Sequence, residues 1–472
     1  MTQIEAASSP GSGQELSKSL RARHLTMISI GGIIGAGLFV SSSTAIRAAG
    51  PASFLSYAIC GCLILLVMRM VGEMTTSLPN VRSFTEFARA GLGDWAGFVV
   101  GWLYWYFWVL VVPVEAIAGA KIVQSWLPDG AAMHVSQLQI GLMLMTIMTA
   151  VNLMSARSYA EFEFWFASIK VAAILVFIAI AASFAFGWTS PHGSTFGNLV
   201  DHGGFAANGW VAVLAAVPIV FFAMTGAEIT TIAAAESAQP GKAVARMSTT
   251  VIGRILLFYV GSLFFIVSVV PWTAVVSGES PFTLALTTMH IPRAPSLMSV
   301  IILTAVLSCL NSAFYVSSRV LFILAARGDA PQMLVKLNRR RVPIGSVLIG
   351  AAAGFLGIIA ATSESQKVFD FLVSSSGALV VFVYMLICFS QIALRRRREA
   401  AGEPPPAVRM WLFPWLSYAA IAGMAAVLIA MALTPSMRRD FYTSLISLAV
   451  AVLAYLVVRA VRQPRVAASA VN

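Results

Sequence analysis

Three ionisable side chains, Glu115, Lys170 and Glu228, stand in the middle of strongly apolar stretches of this 472-residue chain. A charge at the centre of a bilayer costs about 2.5–3.5 kcal/mol on insertion scales, so such groups persist where they act on an ion, a proton or a charged solute. Glu115 follows Pro113 and suits two tasks, counter-charge for a substrate ammonium or acceptor of a proton. Its bland alternative is a neutral, hydrogen-bonded packing carboxyl. Lys170 lies about nine residues into its apolar segment, roughly 13 Å deep at 1.5 Å per residue, where its stem cannot snorkel to water. It either exchanges a proton or stays a structural cation on backbone carbonyls. Glu228 comes two residues after Gly226 and serves either the substrate or the unpaired backbone of a broken helix.

The second chemical feature is bare backbone. Between Ser29 and Val40 four glycines, Gly31, Gly32, Gly35 and Gly37, interrupt an apolar segment long enough to cross a membrane. Glycine costs about 1 kcal/mol against alanine in a helix interior, and unpaired backbone survives at membrane depth only inside protein or beside water. A break is therefore expected here, with close packing through Gly31 and Gly35 as the alternative. A second small-residue interruption runs through Phe222, Ala223, Met224, Thr225 and Gly226. Free N–H groups at a half-helix N-terminus suit an anion and free carbonyls suit a cation, and a zwitterion needs both. The candidate binding residues are Ile30, Gly31, Gly32, Gly35, Ala36, Gly37, Glu115, Phe222, Met224 and Gly226, with Lys170, Glu115 and Glu228 as candidates for proton coupling.

These residues must be positioned by membrane helices. The chain is 59% hydrophobic and 11% charged, with mean hydropathy +0.85, which places it among integral membrane proteins. Apolar segments of spanning length occupy 25–47, 52–74, 96–126, 137–155, 162–187, 210–235, 248–271, 297–325, 344–361, 369–393, 411–433 and 442–461. That is an all-α fold of twelve transmembrane helices. Cationic residues gather on one side, in runs such as Arg339 to Arg341 and Arg395 to Arg398, while the other side has only Arg47, Arg293, Lys367, Arg438 and Arg439. By the positive-inside rule both termini are cytoplasmic. Arg69, Arg254 and Arg319 fall toward cytoplasmic ends and read as snorkelling anchors or gate pairs, Arg69 and Glu73 being spaced to bridge at i,i+4.

The two breaks lie five spans apart, so the second half enters the membrane in the opposite sense, the layout of an inverted repeat. The expected organisation is a cytoplasmic tail over 1–24, a first repeat over 25–187, a second over 210–393, two further helices over 411–461 and a tail over 462–472. The outer connections 188–209 and 272–296 read as short loops containing Gly and Pro.

The segments Ser29–Val40, Gly101–Val109, Pro113–Ala116, Glu161–Trp165, Gly226–Ser237 and Ser308–Ala313 resemble the amino acid, polyamine and organocation transporters, and within them the bacterial amino acid permeases. Ser308–Ala313, with Arg327–Pro331 after it, is most similar to the 4-aminobutyrate (GABA) permeases. The resemblance implies a LeuT-type five-plus-five fold with helices 1 and 6 broken, and proton-coupled amino acid uptake at the cell inner membrane. It implies that Lys170 fills the place sodium takes in sodium-coupled relatives, that Glu115 faces the substrate path, and that Cys309, otherwise a small core residue, lies near the substrate.

Other classes have less to stand on. No phosphate-binding loop, His-Glu-x-x-His or nucleophile elbow is present, the four cysteines have no metal spacing, and no enzyme, metal site, cofactor or nucleic acid partner is expected. The expected partners are a small amino acid, a proton and lipid, with the chain a monomer or weak homo-oligomer. A channel, a sensor, an exchanger and a permease for aromatic, basic or branched α-amino acids are the rival readings.

Overall fold

Glycine and proline punctuate the chain where the first helices turn. The computed structural model describes residues 34–78, 81, 84–128, 135–154, 156–226, 228, 253, 255–361 and 365–469. The first described helices are α1 (Ala36–Phe39) and α2 (Ser41–Ala49). Gly50 at φ 71° and Pro51 then make a single 3-10 turn into α3 (Ser53–Ser77). Glycine alone takes that left-handed conformation without strain, and proline suits the first helical position. There follow α4 (Phe84–Leu92), α5 (Asp94–Gln124), α6 (Gln137–Asn152), α7 (Ala156–Ala185), α8 (Trp210–Ala215) and α9 (Val217–Met224). A π-helical turn over Ile255–Gly261 leads into α10 (Ser262–Val269). The chain ends with α11 (Pro281–Thr288), α12 (Ala294–Ala326), α13 (Ile344–Ala360), α14 (Ser365–Ala400), α15 (Trp415–Leu433) and α16 (Arg438–Ser469).

The described residues are all helix, turn and coil. Seven of the helical stretches are long and apolar enough to cross a membrane, and four shorter ones are apolar too. Helices α5 and α12 pack on each other at the centre. Their close approach to neighbours is made by small residues: a methyl on Gly357 of α13 would meet the ring of Pro113 in α5. The outermost helix, α16, turns Ile446, Val450, Leu453 and Val457 outward, as a lipid-facing surface requires.

Several expectations change. The tail 1–24, the first part of the opening span and residues 229–252 lie outside the described residues. The 272–296 connection contains α11, whose buried Phe282 packs at a tilt against Phe39 at 4.9 Å and Phe177 at 4.7 Å, so a segment too short to span still folds against the membrane helices. Arg69 and Glu73 do not pair. Arg69 donates to the Arg409 carbonyl at 2.7 Å and lies over Trp411. Glu73 instead binds Arg395 and Gln391, each at 3.1 Å, because both reach it from α14. Arg319 is buried against the Tyr315 ring at 4.0 Å and bonded to Ser318, so it does not snorkel. The side chain of Arg254 lies outside the described residues.

Between α4, α5 and the end of α12, Arg89 bonds Asp94 at 2.8 Å, Asp329 at 2.5 Å and Glu86 at 3.3 Å. Burial alone would lower the Arg89 pKa, but these three carboxylates outweigh it and hold it above its ordinary value. The network staples one end of the central helix pair.

Candidate functional site

Both expected interruptions have visible ends. On the first, Gly35 is extended at φ −139°, ψ −147°, and the helix begins at Ala36. The first ladder bonds run from Phe39 to Gly35 and from Val40 to Ala36, which leaves the N–H groups of Ala36, Gly37 and Leu38 outside the helical ladder. On the second, α9 ends at Met224, Thr225 is extended, and Gly226 takes φ 132°, a conformation that glycine adopts without a side-chain penalty. The two ends abut: a methyl on Gly37 would sit 2.5 Å from Ala223 Cα. Only glycine allows that approach.

The carboxylate of Glu115, on α5, accepts the Ala36 N–H at 3.0 and 3.2 Å. A Cβ on Gly35 would lie 2.7 Å from both Glu115 Oε1 and Cys309 Sγ, so the missing side chain is what admits these groups. From the opposite side Lys170 Nζ donates to the Ile34 carbonyl at 3.0 Å and to Ser308 Oγ at 2.8 Å. The three-residue stretch 34–36 is thus gripped at its carbonyl by a buried cation and at its amide by a buried carboxylate. Two peptide units separate the two anchors.

Glu228 sits apart, receiving the hydroxyls of Tyr104 at 2.9 Å and Tyr384 at 2.8 Å and the Gly226 N–H at 3.2 Å. That last bond matters to the helix end. In an unbroken helix the Gly226 N–H would serve the Phe222 carbonyl, so Glu228 withdraws its ladder donor. The neighbouring Ala223 carbonyl is occupied by Tyr259 Oη at 3.0 Å. Phe222 O is accordingly the better cation acceptor of the two.

Gly37, Phe107, Trp108, Val111, Glu115, Phe222, Thr225 and Cys309 line one small cavity with room for about one water molecule. Of the expected site residues, Gly37, Glu115, Phe222 and Cys309 line it, and Gly35, Ala36, Met224 and Gly226 are in the walls behind or beside it. Lys170 and Glu228 flank it without lining it, and Ile30, Gly31 and Gly32 lie outside the described residues. The Ser308–Asn311 face of α12 is engaged: Ser308 with Lys170 and Glu163, and Asn311 with Asn152 at 2.8 Å. Larger hollows, of about 390 Å³ beside Ile180 and Met289 and about 230 Å³ beside Ile117 and Ile358, have no ionisable lining and lie away from both breaks.

The sequence assigns no individual role to Thr225, Tyr104, Tyr384 or, above all, Glu163, although Thr225 falls in the second interruption. Glu163 is fully buried, with Oε1 3.6 Å from Lys170 Nζ and Oε2 accepting the Ser308 hydroxyl at 2.5 Å. The signal was present: seven residues is two helical turns, so Glu163 and Lys170 share a face.

The chain matches the amino acid permease family model over residues 24–467. It is 40% identical over 447 residues to the gamma-aminobutyric acid permease of Bacillus subtilis, covering 94% of each chain. It is 43% identical over 429 residues to the gamma-aminobutyric acid permease of Escherichia coli, covering 90% of this chain and 91% of that one. An aromatic amino acid transport protein of Corynebacterium glutamicum is 37% identical over 445 residues, covering 92% and 93%.

Proposed function

The chain belongs to the amino acid permease family, multi-pass membrane proteins of amino acid uptake, and from that premise we propose that its substrate is GABA or a related ω-amino acid, taken up with a proton across the inner membrane. The substrate carboxylate is held by N–H groups at the start of α1, where Gly37 opens onto the cavity. The ammonium is held by the Glu115 carboxylate and the Phe222 carbonyl. The observation that supports this reading is that Gly37, Glu115 and Phe222 line the same cavity, so backbone N–H groups that suit an anion and groups that suit a cation border one space. Each methylene adds about 1.25 Å of reach, a geometric estimate from bond lengths, so two extra methylenes carry an ω-ammonium some distance past the point where an α-ammonium stops. Uptake requires Phe222, Trp108 and their neighbours to part, because the present cavity is smaller than any amino acid. Two relatives named for this substrate support the assignment.

Within this proposal the chain has twelve spans with both termini inside, arranged as a five-plus-five inverted repeat. The abutting helix ends at Gly37 and Ala223 support that arrangement. Lys170, bridging the first break to α12 through Ser308, supports coupling to protons in place of sodium.

The test is uptake of radiolabelled GABA into proteoliposomes, with competition by ω-, aromatic, basic and branched α-amino acids, under an inward proton gradient with and without sodium. Stronger competition by α-amino acids at equal concentration would move the chain to the second reading, an aromatic or other α-amino acid permease, which its relative from Corynebacterium glutamicum favours. Strong sodium dependence would refute proton coupling.

A further inference from the structure

The buried carboxylate that the binding geometry leaves unused is Glu163. It is on α7, two turns before Lys170, and both side chains are fully buried. Ser308 of α12 stands between them: its Oγ accepts from Lys170 Nζ at 2.8 Å while its hydroxyl donates to Glu163 Oε2 at 2.5 Å. The remaining oxygen, Oε1, is 3.6 Å from Nζ. A buried carboxylate or ammonium is expensive unless it is paired and hydrogen-bonded, and here the pair is joined through a hydroxyl that accepts from one partner and donates to the other, which a counter-ion alone would not need. The titratable groups around it are Lys170 on its own helix, Cys309 on α12 and, beyond them, Glu115 on α5.

We infer that Glu163 is the proton-releasing partner of Lys170, with the Ser308 hydroxyl as the relay between them. This rests on the proton-coupled reading above and specifies its path. The step balances without any other reactant. The Lys170 ammonium gives a proton to Ser308 Oγ as the Ser308 hydroxyl gives its own to Glu163 Oε2, which turns an ammonium and a carboxylate into an amine and a carboxylic acid. Glu163 then releases that proton, and Lys170 takes up another. No net charge is created at the relay step, so the site avoids an isolated buried ion. Seven residues along α7 place the two Cα atoms roughly 10 Å apart, and with the N-terminus inside Glu163 is the inward end. The proton therefore advances inward as it passes. The same step turns the ammonium that holds the Ile34 carbonyl into an amine with one fewer donor, which loosens stretch 34–36 and, through the Ala36 N–H, the Glu115 side of the binding site.

The experiment compares gradient-driven accumulation of GABA with counterflow exchange of GABA in the same proteoliposomes, across a pH series, for the parent, Glu163→Gln, Glu163→Asp, Ser308→Ala and Ser308→Thr. Glutamine keeps the acceptor for Ser308 but carries no proton, so Glu163→Gln should lower accumulation relative to counterflow by at least about tenfold and flatten its pH profile. Glu163→Asp and Ser308→Thr, which keep the carboxyl and the hydroxyl, should retain both; Ser308→Ala should behave as Glu163→Gln does. Unchanged accumulation in Glu163→Gln or in Ser308→Ala would overturn the inference, as would equal loss of accumulation and counterflow that the conservative variants fail to rescue. A parent protein indifferent to the proton gradient would instead overturn the proton-coupled reading itself.

Discussion

Replacing Gly35 by alanine tests the contact between the first break and its carboxylate. The added Cβ would lie 2.7 Å from Glu115 Oε1 and 2.4 Å from Cys309 Cβ, where ordinary contact begins at 3.4 Å, so the carboxylate must retreat by about 0.7 Å and the cysteine by about 1 Å to relieve the overlap. The Ala36 N–H bonds to Glu115 are already 3.0 and 3.2 Å long, and a retreat of that size takes them out of hydrogen-bond range. A hydrogen bond to a charged group is worth about 1.5–3 kcal/mol, which corresponds to roughly 10- to 150-fold in affinity. The measurement is the KM for GABA uptake by Gly35→Ala, normalised to the amount of protein in the membrane, which should remain near the parent's. Adding Cys309→Gly removes the sulfur and its Cβ from the overlap and should recover part of the loss. A KM within about twofold of the parent in Gly35→Ala alone would refute the reasoning, because the carboxylate could then move without consequence for binding.

Glu115→Gln keeps the shape but removes the counter-charge, so it should weaken GABA by roughly tenfold or more and weaken α-amino acids less, read as paired inhibition constants; equal losses would place the ammonium elsewhere. Lys170→Ala frees the Ile34 carbonyl and the Ser308–Glu163 pair, and gradient-driven uptake should stop; full proton-driven accumulation in that variant would remove Lys170 from coupling. Tyr384→Phe deletes one of the donors to Glu228 and should destabilise the purified protein by about 1–3 kcal/mol, the cost of leaving a buried acceptor short of a partner, measured as a lower thermal midpoint in detergent. Arg89→Ala removes the Arg89 bridge from buried Asp329, and because Arg89 is itself partly exposed the loss should be about 2 kcal/mol, seen in the same assay.

The sequence by itself determined the all-helical membrane class and marked the two small-residue stretches at which α1 begins and α9 ends, because hydropathy and glycine content act over a few neighbouring residues. It also singled out Glu115, Lys170 and Glu228, since a charge in an apolar run is costly wherever the chain later folds. It did not say what those charges touch. Glu115 meets an amide 79 positions away, Lys170 a hydroxyl 138 positions away and Glu228 a phenol 156 positions away, and no local period encodes such pairings. The i,i+4 spacing of Arg69 and Glu73 suggested a bridge that α14 and the segment before α15 took apart, because Arg395, Gln391 and the Arg409 carbonyl compete from elements distant in sequence. Arg319 was assigned to the membrane edge by its place in the segment, yet α12 runs through the centre and encloses it. Glu163 shows the same limit from the other direction. Its seven-residue spacing from Lys170 was legible, but only the packing of α12 against α7, which brings Ser308 between the two side chains, makes that spacing a path for a proton.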